Sequence, residues 1–192
     1  LQIATYWART PTEAQGDHDA SYRGQIEYSG DRWGWQVEHL AVGDNFSPDI
    51  GFVRRDNMRK SYGQFRFSPR PKRNRVIRRA SSTGTINYIE DDDFRLQTRE
   101  IDGEFGLEFH NTDRLTLGAS DIREVLPVPF EISRGLILPV GPYDYANLRA
   151  SYSFGQQRPI AANVLAERGT FYNGTRTAIT ESQGRIKITN QL

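Results

Sequence analysis

The sequence predicts an all-β protein, built as an antiparallel meander of about ten long strands. Apolar and polar residues alternate with a period of two along most of the chain, as side chains do on the two faces of a strand. In residues 21–29, for example, Tyr22 and Ile26 fall on one face, and Arg23 and Glu27 fall on the other. Clusters of Gly, Asp, Asn and Pro separate the alternating segments and predict turns.

The first half of the chain contains five predicted strands. Gly30 and Asp31 stand between two alternating segments and predict a hairpin turn. Residues 43–60 are irregular, and a basic turn that contains two prolines follows at residues 69–74. The predicted strands of this half comprise residues 2–9, 20–29, 32–42, 61–68 and 75–90.

The second half alternates in the same way. Turns are predicted at residues 91–93, at residues 111–113 and at Asn173-Gly174, which is a strong hairpin dipeptide. Residues 126–142 are rich in proline and apolar side chains and predict a loop that folds over a surface. The predicted strand segments of this half comprise residues 94–99, 101–110, 114–124, 144–154, 160–171 and 175–189.

Composition excludes several classes of protein. No segment approaches the roughly 18 consecutive apolar residues of a membrane-spanning helix. The chain has no cysteine, which excludes a disulfide scaffold and thiolate chemistry. Its net charge of +1 supplies no overall field that would attract nucleic acid, so we expect no nucleic-acid partner. The chain starts at Leu1 in a strand-like segment, and we interpret it as a fragment of a longer protein.

The alternation is compatible with two arrangements. A soluble sandwich would bury the apolar face, whereas a transmembrane barrel would turn that face to lipid and keep the polar face around a lumen. Several predicted strands reach the roughly 9–11 residues that cross a bilayer at a tilt. Tyr and Trp are also frequent on the apolar face and near strand ends, as in the aromatic girdles of barrels. Both features favour the barrel, and the soluble sandwich is the alternative.

Three segments resemble a known family. The first is Glu-His-Leu at residues 38–40 together with Phe-Ser-Pro-Asp-Ile-Gly-Phe-Val-Arg-Arg at residues 46–55. The others are Leu-Pro-Val-Gly-Pro-Tyr-Asp-Tyr at residues 138–145 and Gly-Thr-Phe-Tyr-Asn-Gly-Thr-Arg at residues 169–176. Together they resemble the C-terminal outer-membrane β-barrel domain of unknown function that follows a family-nine carbohydrate-binding-like domain in Gram-negative envelope proteins.

The resemblance implies a location in the bacterial outer membrane and a single β-barrel segment over residues 1–192. It implies outer-membrane lipid as a partner, the preceding carbohydrate-binding-like domain as a neighbour in the same chain, and oligosaccharide as a candidate ligand. Family members are often labelled carbohydrate-binding proteins or hydrolases because of that preceding domain, which is not part of these residues. The barrel family supplies no catalytic residues to transfer, so we expect neither enzymatic activity nor a cofactor.

A basic cluster in the irregular segment is the most prominent candidate ligand site. It consists of Arg54, Arg55, Arg59 and Lys60. Guanidinium groups bind phosphate and carboxylate oxygens in a bidentate manner, so the cluster suits anionic lipopolysaccharide groups, an acidic glycan or an acidic plug. The alternative is a basic loop that is solvated or paired with neighbouring aspartates.

Carboxylates on one predicted strand allow a catalytic interpretation. Glu104 and Glu108 share a face with Asp102, and carboxylates about 5–9 Å apart are the groups that hydrolyse glycosides. Acids that alternate with arginines on neighbouring strands also line water-filled lumens, and we prefer this interpretation. Residues 91–93 lack the spacing of a calcium loop, and the histidines have no close partner in sequence, so no metal site is predicted.

We therefore expect a non-catalytic outer-membrane barrel segment with a polar lumen, which serves in transport or surface display linked to carbohydrate. Residues 126–143 are the predicted constriction or folded-in loop. A soluble β-sheet carbohydrate-binding module that uses Trp33 and Trp35 is the second hypothesis, and part of a glycoside hydrolase is the third. The lumen candidates are Arg23, Glu27, Arg66, Arg95, Arg99, Glu104, Glu108 and Arg149.

Overall fold

A computed structural model of the protein describes residues 1–10, 18–47, 56–171 and 174–186. These residues form strands and connections and contain no helix. The described part of the chain therefore holds no helical segment with the length and hydropathy of a membrane span. The strands are β1 (Gln2–Arg9), β2 (Ala20–Ser29), β3 (Trp33–Val42), β4 (Met58–Phe67), β5 (Ile77–Glu90), β6 (Leu96–Phe109), β7 (Arg114–Leu126), β8 (Phe130–Ser133), β9 (Leu136–Leu138), β10 (Gly141–Ser153), β11 (Ile160–Phe171) and β12 (Gly174–Ile186).

Ten of these strands form one antiparallel sheet in the order β1-β2-β3-β4-β5-β6-β7-β10-β11-β12. The remaining two, β8 and β9, pair only with each other and interrupt the connection from β7 to β10. The antiparallel meander predicted from the sequence is confirmed. Among the described residues β1 and β12 are not paired with each other, so the sheet is open in this structure.

The connections divide the sheet into two ends. We call the end that carries the β8–β9 hairpin the hairpin end, and the opposite end the turn end. At the turn end, the N–H of Gly30 donates to the carbonyl of Trp33 at 2.9 Å, which closes the predicted β2–β3 turn. The N–H of Phe109 donates to the carbonyl of Asp113 at 2.9 Å and closes the β6–β7 turn. The predicted turn at Asn173 lies outside the described residues.

The pairing register assigns each side chain to one of two faces. Residues directly opposite each other on paired strands share a face. Trp35 pairs with Tyr28 and Phe65, and this row belongs to what we call the apolar face. The large exposed side chains of the apolar face include Ile3, Trp7, Tyr22, Ile26, Tyr28, Trp33, Trp35, Val37, Phe65, Ile86, Ile101, Phe105, Leu117, Leu148, Val164 and Ile179.

The opposite surface, which we call the polar face, is the more covered of the two. In β10, the polar-face residue Tyr145 is 8% exposed, whereas the apolar-face residue Leu148 is 65% exposed. Residues 81–87 of β5 and 163–170 of β11 show the same alternation, with the exposed positions on the apolar face. Within the described residues, extensive contacts join only neighbouring strands, so no second layer packs on the sheet.

The proline-rich segment at residues 126–143 does not fold over the polar face in this structure, contrary to the sequence prediction. It forms the end of β7, the β8–β9 hairpin and the start of β10. Phe130, Leu136 and Ile137 are each at least half exposed, and the hairpin makes no extensive contact with the sheet. Gly135 has a φ of 81°, which allows a tight reversal in which the segment pairs with itself.

Candidate functional site: the polar face

An arginine spans three strands at the centre of the polar face. Nη2 of Arg149 in β10 lies 3.5 Å from Oδ1 of Asp102 in β6, and β7 runs between them. The intervening residue of β7 is Gly118, where a Cβ atom would lie 2.5 Å from Nε of Arg149. The pair therefore depends on the missing side chain, because any larger residue would occupy the space that the guanidinium group crosses.

A second arginine of the polar face makes hydrogen bonds near the turn end. Arg66 donates from Nη2 to the carbonyl of Gly30 at 2.7 Å and from Nη1 to Oγ of Ser68 at 2.9 Å. A Cβ atom at Gly34, its partner on β3, would lie 3.0 Å from Nη2 of Arg66. Glycine again makes room for a guanidinium group, which here ties the β2–β3 turn to the end of β4.

Glu38 is the most covered acid on the polar face of the described strands, with 8% of its surface exposed. It accepts a hydrogen bond from Nη2 of Arg23 at 2.6 Å and lies 3.7 Å from Nζ of Lys60. Arg23 also donates to Oε1 of Gln25 at 2.6 Å. A buried carboxylate is stable only when it is paired, and the two cations from β2 and β4 supply that pairing.

Two concavities lie on the polar face, each across four adjacent strands. The one near the turn end has a volume of about 230 Å³, and the one near the hairpin end has a volume of about 300 Å³. Both are lined by charged groups of both signs, an arrangement that suits hydrated polar solutes. The first is lined by Arg66, Arg79, Glu104, Glu108 and Arg114, and the second by Glu124, Tyr145, Asn147, Glu167 and Arg176.

Aromatic side chains gather on the apolar face near the turn end. Trp33 stacks on Phe67 with ring centroids 4.2 Å apart, and Phe65 lies 5.6 Å from Trp33. Further along the turn end, at the end of β10, the ring of Tyr152 packs edge-on against the ring of Phe154, with ring centroids 5.0 Å apart. The turn-end border of the apolar face is therefore marked by aromatic rings.

Ion pairs mark the opposite border of the apolar face, near the hairpin end. Nη2 of Arg99 lies 3.0 Å from Oδ1 of Asp121, and Nη1 of Arg123 lies 3.8 Å from Oδ1 of Asp144. Arg99 and Arg123 sit directly opposite each other in the register of β6 and β7. The exposed apolar band thus lies between an aromatic border and a charged border.

The structure places six of the predicted lumen residues on the polar face, although their role in a lumen stays a prediction. Arg54 and Arg55 lie outside the described residues. The residues on the polar face are Arg23, Glu27, Arg66, Glu104, Glu108 and Arg149.

Arg99 lies on the apolar face, which differs from the sequence prediction that grouped it with Glu104. The prediction treats residues 94–99 as a segment separate from residues 101–110, but β6 is continuous from Leu96 to Phe109. Side chains alternate strictly along an unbroken strand, so Arg99 points to the same side as Ile101. It contributes to the charged border instead of the polar face.

Arg59 and Arg95 also lie away from the polar face. Arg59 occupies the apolar-face register of β4, and its Nε lies 3.4 Å from Oδ1 of Asp92. Arg95 lies in the β5–β6 turn, where its Nε donates to Oδ2 of Asp91 at 2.8 Å. Burial by itself raises the pKa of Asp91, but the hydrogen bonds from Arg95 outweigh burial and hold this pKa below its ordinary value.

Two of the three carboxylates considered for catalysis contact arginines. Asp102 pairs with Arg149, and Oε1 of Glu108 lies 3.4 Å from Nη1 of Arg78. Glu104 lies on the polar face and is exposed. These contacts follow the alternation of acids and arginines that the sequence indicated for a polar lining.

Sequence reasoning missed the contacts of Glu38, Lys60 and Tyr145. The hydroxyl of Tyr145 donates to Oε2 of Glu124 at 3.1 Å, next to the larger concavity. Each of these contacts joins adjacent strands, so knowledge of the pairing register between the strands would have identified the neighbouring residues. Hydrophobic alternation within one strand carries no information on which residues lie opposite each other.

No protein-family model, no curated protein and no solved structure matches the chain.

Proposed function

We propose that this chain is a non-catalytic segment of an outer-membrane β-barrel, with the polar face around a water-filled lumen and the apolar face against lipid. The reversed burial of the two faces supports this proposal above all. Leu148 is 65% exposed, whereas Tyr145 on the opposite face of the same strand is 8% exposed. Exposed apolar surface costs about 25 cal/mol per Å² in water, and large apolar patches mark surfaces that meet a partner or a membrane.

The dimensions of the sheet also support the proposal. The strands of the large sheet, except β1, contain 10–14 residues. At about 3.3 Å per residue and a tilt of about 40°, they span roughly 25–35 Å, which is sufficient for the apolar band of about 25 Å of a membrane barrel. The aromatic and charged borders lie where the two lipid–water interfaces would be.

The lumen that we propose is suited to hydrated, uncharged or mixed-charge solutes such as oligosaccharides. Arg149–Asp102 and Arg23–Glu38 place both signs of charge within a few ångströms along the polar face. Such a lining offers hydrogen-bond donors and acceptors without a single dominant charge, which favours passage or display of hydroxyl-rich molecules over selection of ions. A membrane barrel has no free edges, so the proposal requires β1 and β12, which are the open edges of the described sheet, to pair with each other or with further strands in the membrane.

Neighbouring residues of β10 provide the test of this orientation. In a background with Trp7, Trp33 and Trp35 changed to Phe, a single tryptophan is introduced as Leu148→Trp or Asn147→Trp. The full chain is reconstituted in vesicles whose acyl chains carry bromine, which quenches nearby tryptophan. We expect brominated lipid to quench Leu148→Trp, and aqueous acrylamide to quench Asn147→Trp, because the two positions face opposite sides.

A soluble carbohydrate-binding module is the second candidate function, and one observation favours it. Trp33 and Trp35 are 48% and 38% exposed, and Trp33 stacks on Phe67, so flat aromatic surfaces are available for a sugar ring. This candidate requires the chain to be soluble without detergent and its fluorescence to respond to oligosaccharide. Loss of that response in Trp33→Ala, but not in Trp7→Ala, together with no quenching by brominated lipid, would replace the barrel proposal.

A further inference from the structure

Three connections at the hairpin end bring metal-ligand side chains together outside both faces. His18 lies just before β2, Asp44 lies just after β3, and Asp92 lies in the β5–β6 turn. One ligand atom from each residue lies within 4.8 Å of the other two. The three residues are far apart in the sequence, so only the folding of the meander brings them to one place.

We propose that His18, Asp44 and Asp92 form a binding site for a divalent first-row transition-metal ion of the zinc class. Nδ1 of His18 lies 3.2 Å from Oδ2 of Asp92. Two ligand atoms bound at about 2.1 Å to one tetrahedral or octahedral ion lie roughly 3.0–3.5 Å apart, so this pair already has ligand spacing. An imidazole nitrogen with two carboxylate oxygens favours zinc and its neighbours over calcium and magnesium, which prefer oxygen ligands alone.

Contacts around Asp92 orient its carboxylate towards the site. Oδ1 of Asp92 faces Nε of Arg59 at 3.4 Å, while Oδ2 faces His18. The N–H of Asp92 donates to Oδ1 of Asn57 at 2.9 Å, which fixes the turn. Outer partners of this kind hold a ligating carboxylate in one orientation. Arg59 also offsets part of the negative charge of the two aspartates in the absence of an ion.

The backbone near His18 is held against the loop that carries Asp44. The N–H of Asn45 donates to the carbonyl of His18 at 3.2 Å. A Cβ atom at Gly43 would overlap that same carbonyl oxygen, so only glycine allows the two connections to approach this closely. A bound ion would cross-link these two connections to the β5–β6 turn and thereby stabilise the hairpin end.

The test is a calorimetric titration of the full chain with Zn²⁺ after removal of metals by a chelator. We expect one ion per chain, and an affinity at least about 10-fold lower in His18→Ala and Asp44→Asn, because the loss of a ligand costs at least as much affinity as the loss of an outer partner. His110→Ala is the control, since His110 lies at the turn end, where its Nε2 contacts the carbonyl of Asn74. Equimolar Ca²⁺ should not displace Zn²⁺.

Three results would overturn this inference: no zinc binding by the unaltered chain, unchanged affinity in Asp44→Asn, or an equal loss in His110→Ala. Asp44 is exposed, so Asp44→Asn leaves the fold intact and remains informative where His18→Ala does not fold. The absorption bands of bound Co²⁺ give a second measurement of the same ligand set. The site lies beyond the apolar face, so its test is independent of where lipid contacts the sheet.

Discussion

The two faces of the sheet differ in the contacts that their side chains make. On the polar face, charged groups reach across strands, as Arg149 does to Asp102, and they cover one another. On the apolar face, Leu148 and Leu117 remain exposed beside their neighbours, because no layer packs on them within the described residues. A sheet in a soluble protein buries its apolar face. The comparison teaches that this sheet pairs many of its charged groups across neighbouring strands and leaves large apolar side chains exposed.

The largest expected effect lies at the turn-end border, where the Asp113 carboxyl is fully buried. It accepts hydrogen bonds from the hydroxyl of Tyr152 at 2.7 Å, the N–H of Gly155 at 2.8 Å and Nη2 of Arg158 at 2.5 Å. We expect Asp113→Ala to lower the free energy of unfolding by about 3–5 kcal/mol, because these donors lose their acceptor. Denaturant titration measures the effect. Asp121→Ala, at the exposed charged border, should cost about 1 kcal/mol or less.

The next largest effect is expected when an arginine is introduced on one face of the sheet or on the other. In lipid, we expect Leu148→Arg to reduce stability by about 2–4 kcal/mol, because a guanidinium group would enter the apolar band. Asn147→Arg, on the polar face of the same strand, should change stability by about 0.5 kcal/mol or less. Unfolding of both variants in vesicles measures the difference. Equal stabilities for the two variants would contradict the proposed contact between the apolar face and lipid.

Glycine substitutions give a smaller contrast between the faces. Gly118→Ala should lower the free energy of unfolding by about 1 kcal/mol, because its Cβ displaces Arg149 and separates it from Asp102. Gly103→Ala on the apolar face has no atom within 4 Å of the new Cβ. It should leave stability unchanged or raise it by about 0.4–1 kcal/mol through the unfolded chain. The midpoint of thermal or denaturant unfolding distinguishes the two variants. A loss of stability in Gly103→Ala as large as that in Gly118→Ala would contradict the difference between the faces.

The smallest effect at neutral pH concerns the titration of Asp113. Burial by itself raises the pKa of this carboxyl, but hydrogen bonds from Tyr152 and Gly155 and the charge of Arg158 outweigh it and hold the pKa below its ordinary value. Its stabilising contribution is therefore complete above the unfolded pKa of about 3.9 and is lost as the pH falls through the lower folded pKa. We expect the unfolding free energy to fall more steeply in acid for the unaltered chain than for Asp113→Asn. If the unfolding free energies of the two proteins changed in parallel with pH, a group other than Asp113 would dominate the loss of stability in acid.

Several features of the fold could be predicted because they depend on residues close together in the chain. Gly30 and Asp31 form a turn, and the alternation in residues 21–29 becomes β2, because both reflect local backbone and side-chain geometry. The same alternation identified most of the polar-face candidates. Arg99 was assigned to the wrong face because the segment before Ile101 was treated as separate from the strand that follows.

The sequence by itself determined an all-β meander and the composition of its two faces, since a pleated strand separates alternate residues without any long-range information. Only the tertiary structure decided the register between strands and the convergence of connections. It places Glu38 between two cations, buries Asp113 against Arg158, and brings His18 to Asp92. These contacts join residues that are distant along the chain, and their geometry depends on how the whole sheet pairs, which no local pattern encodes.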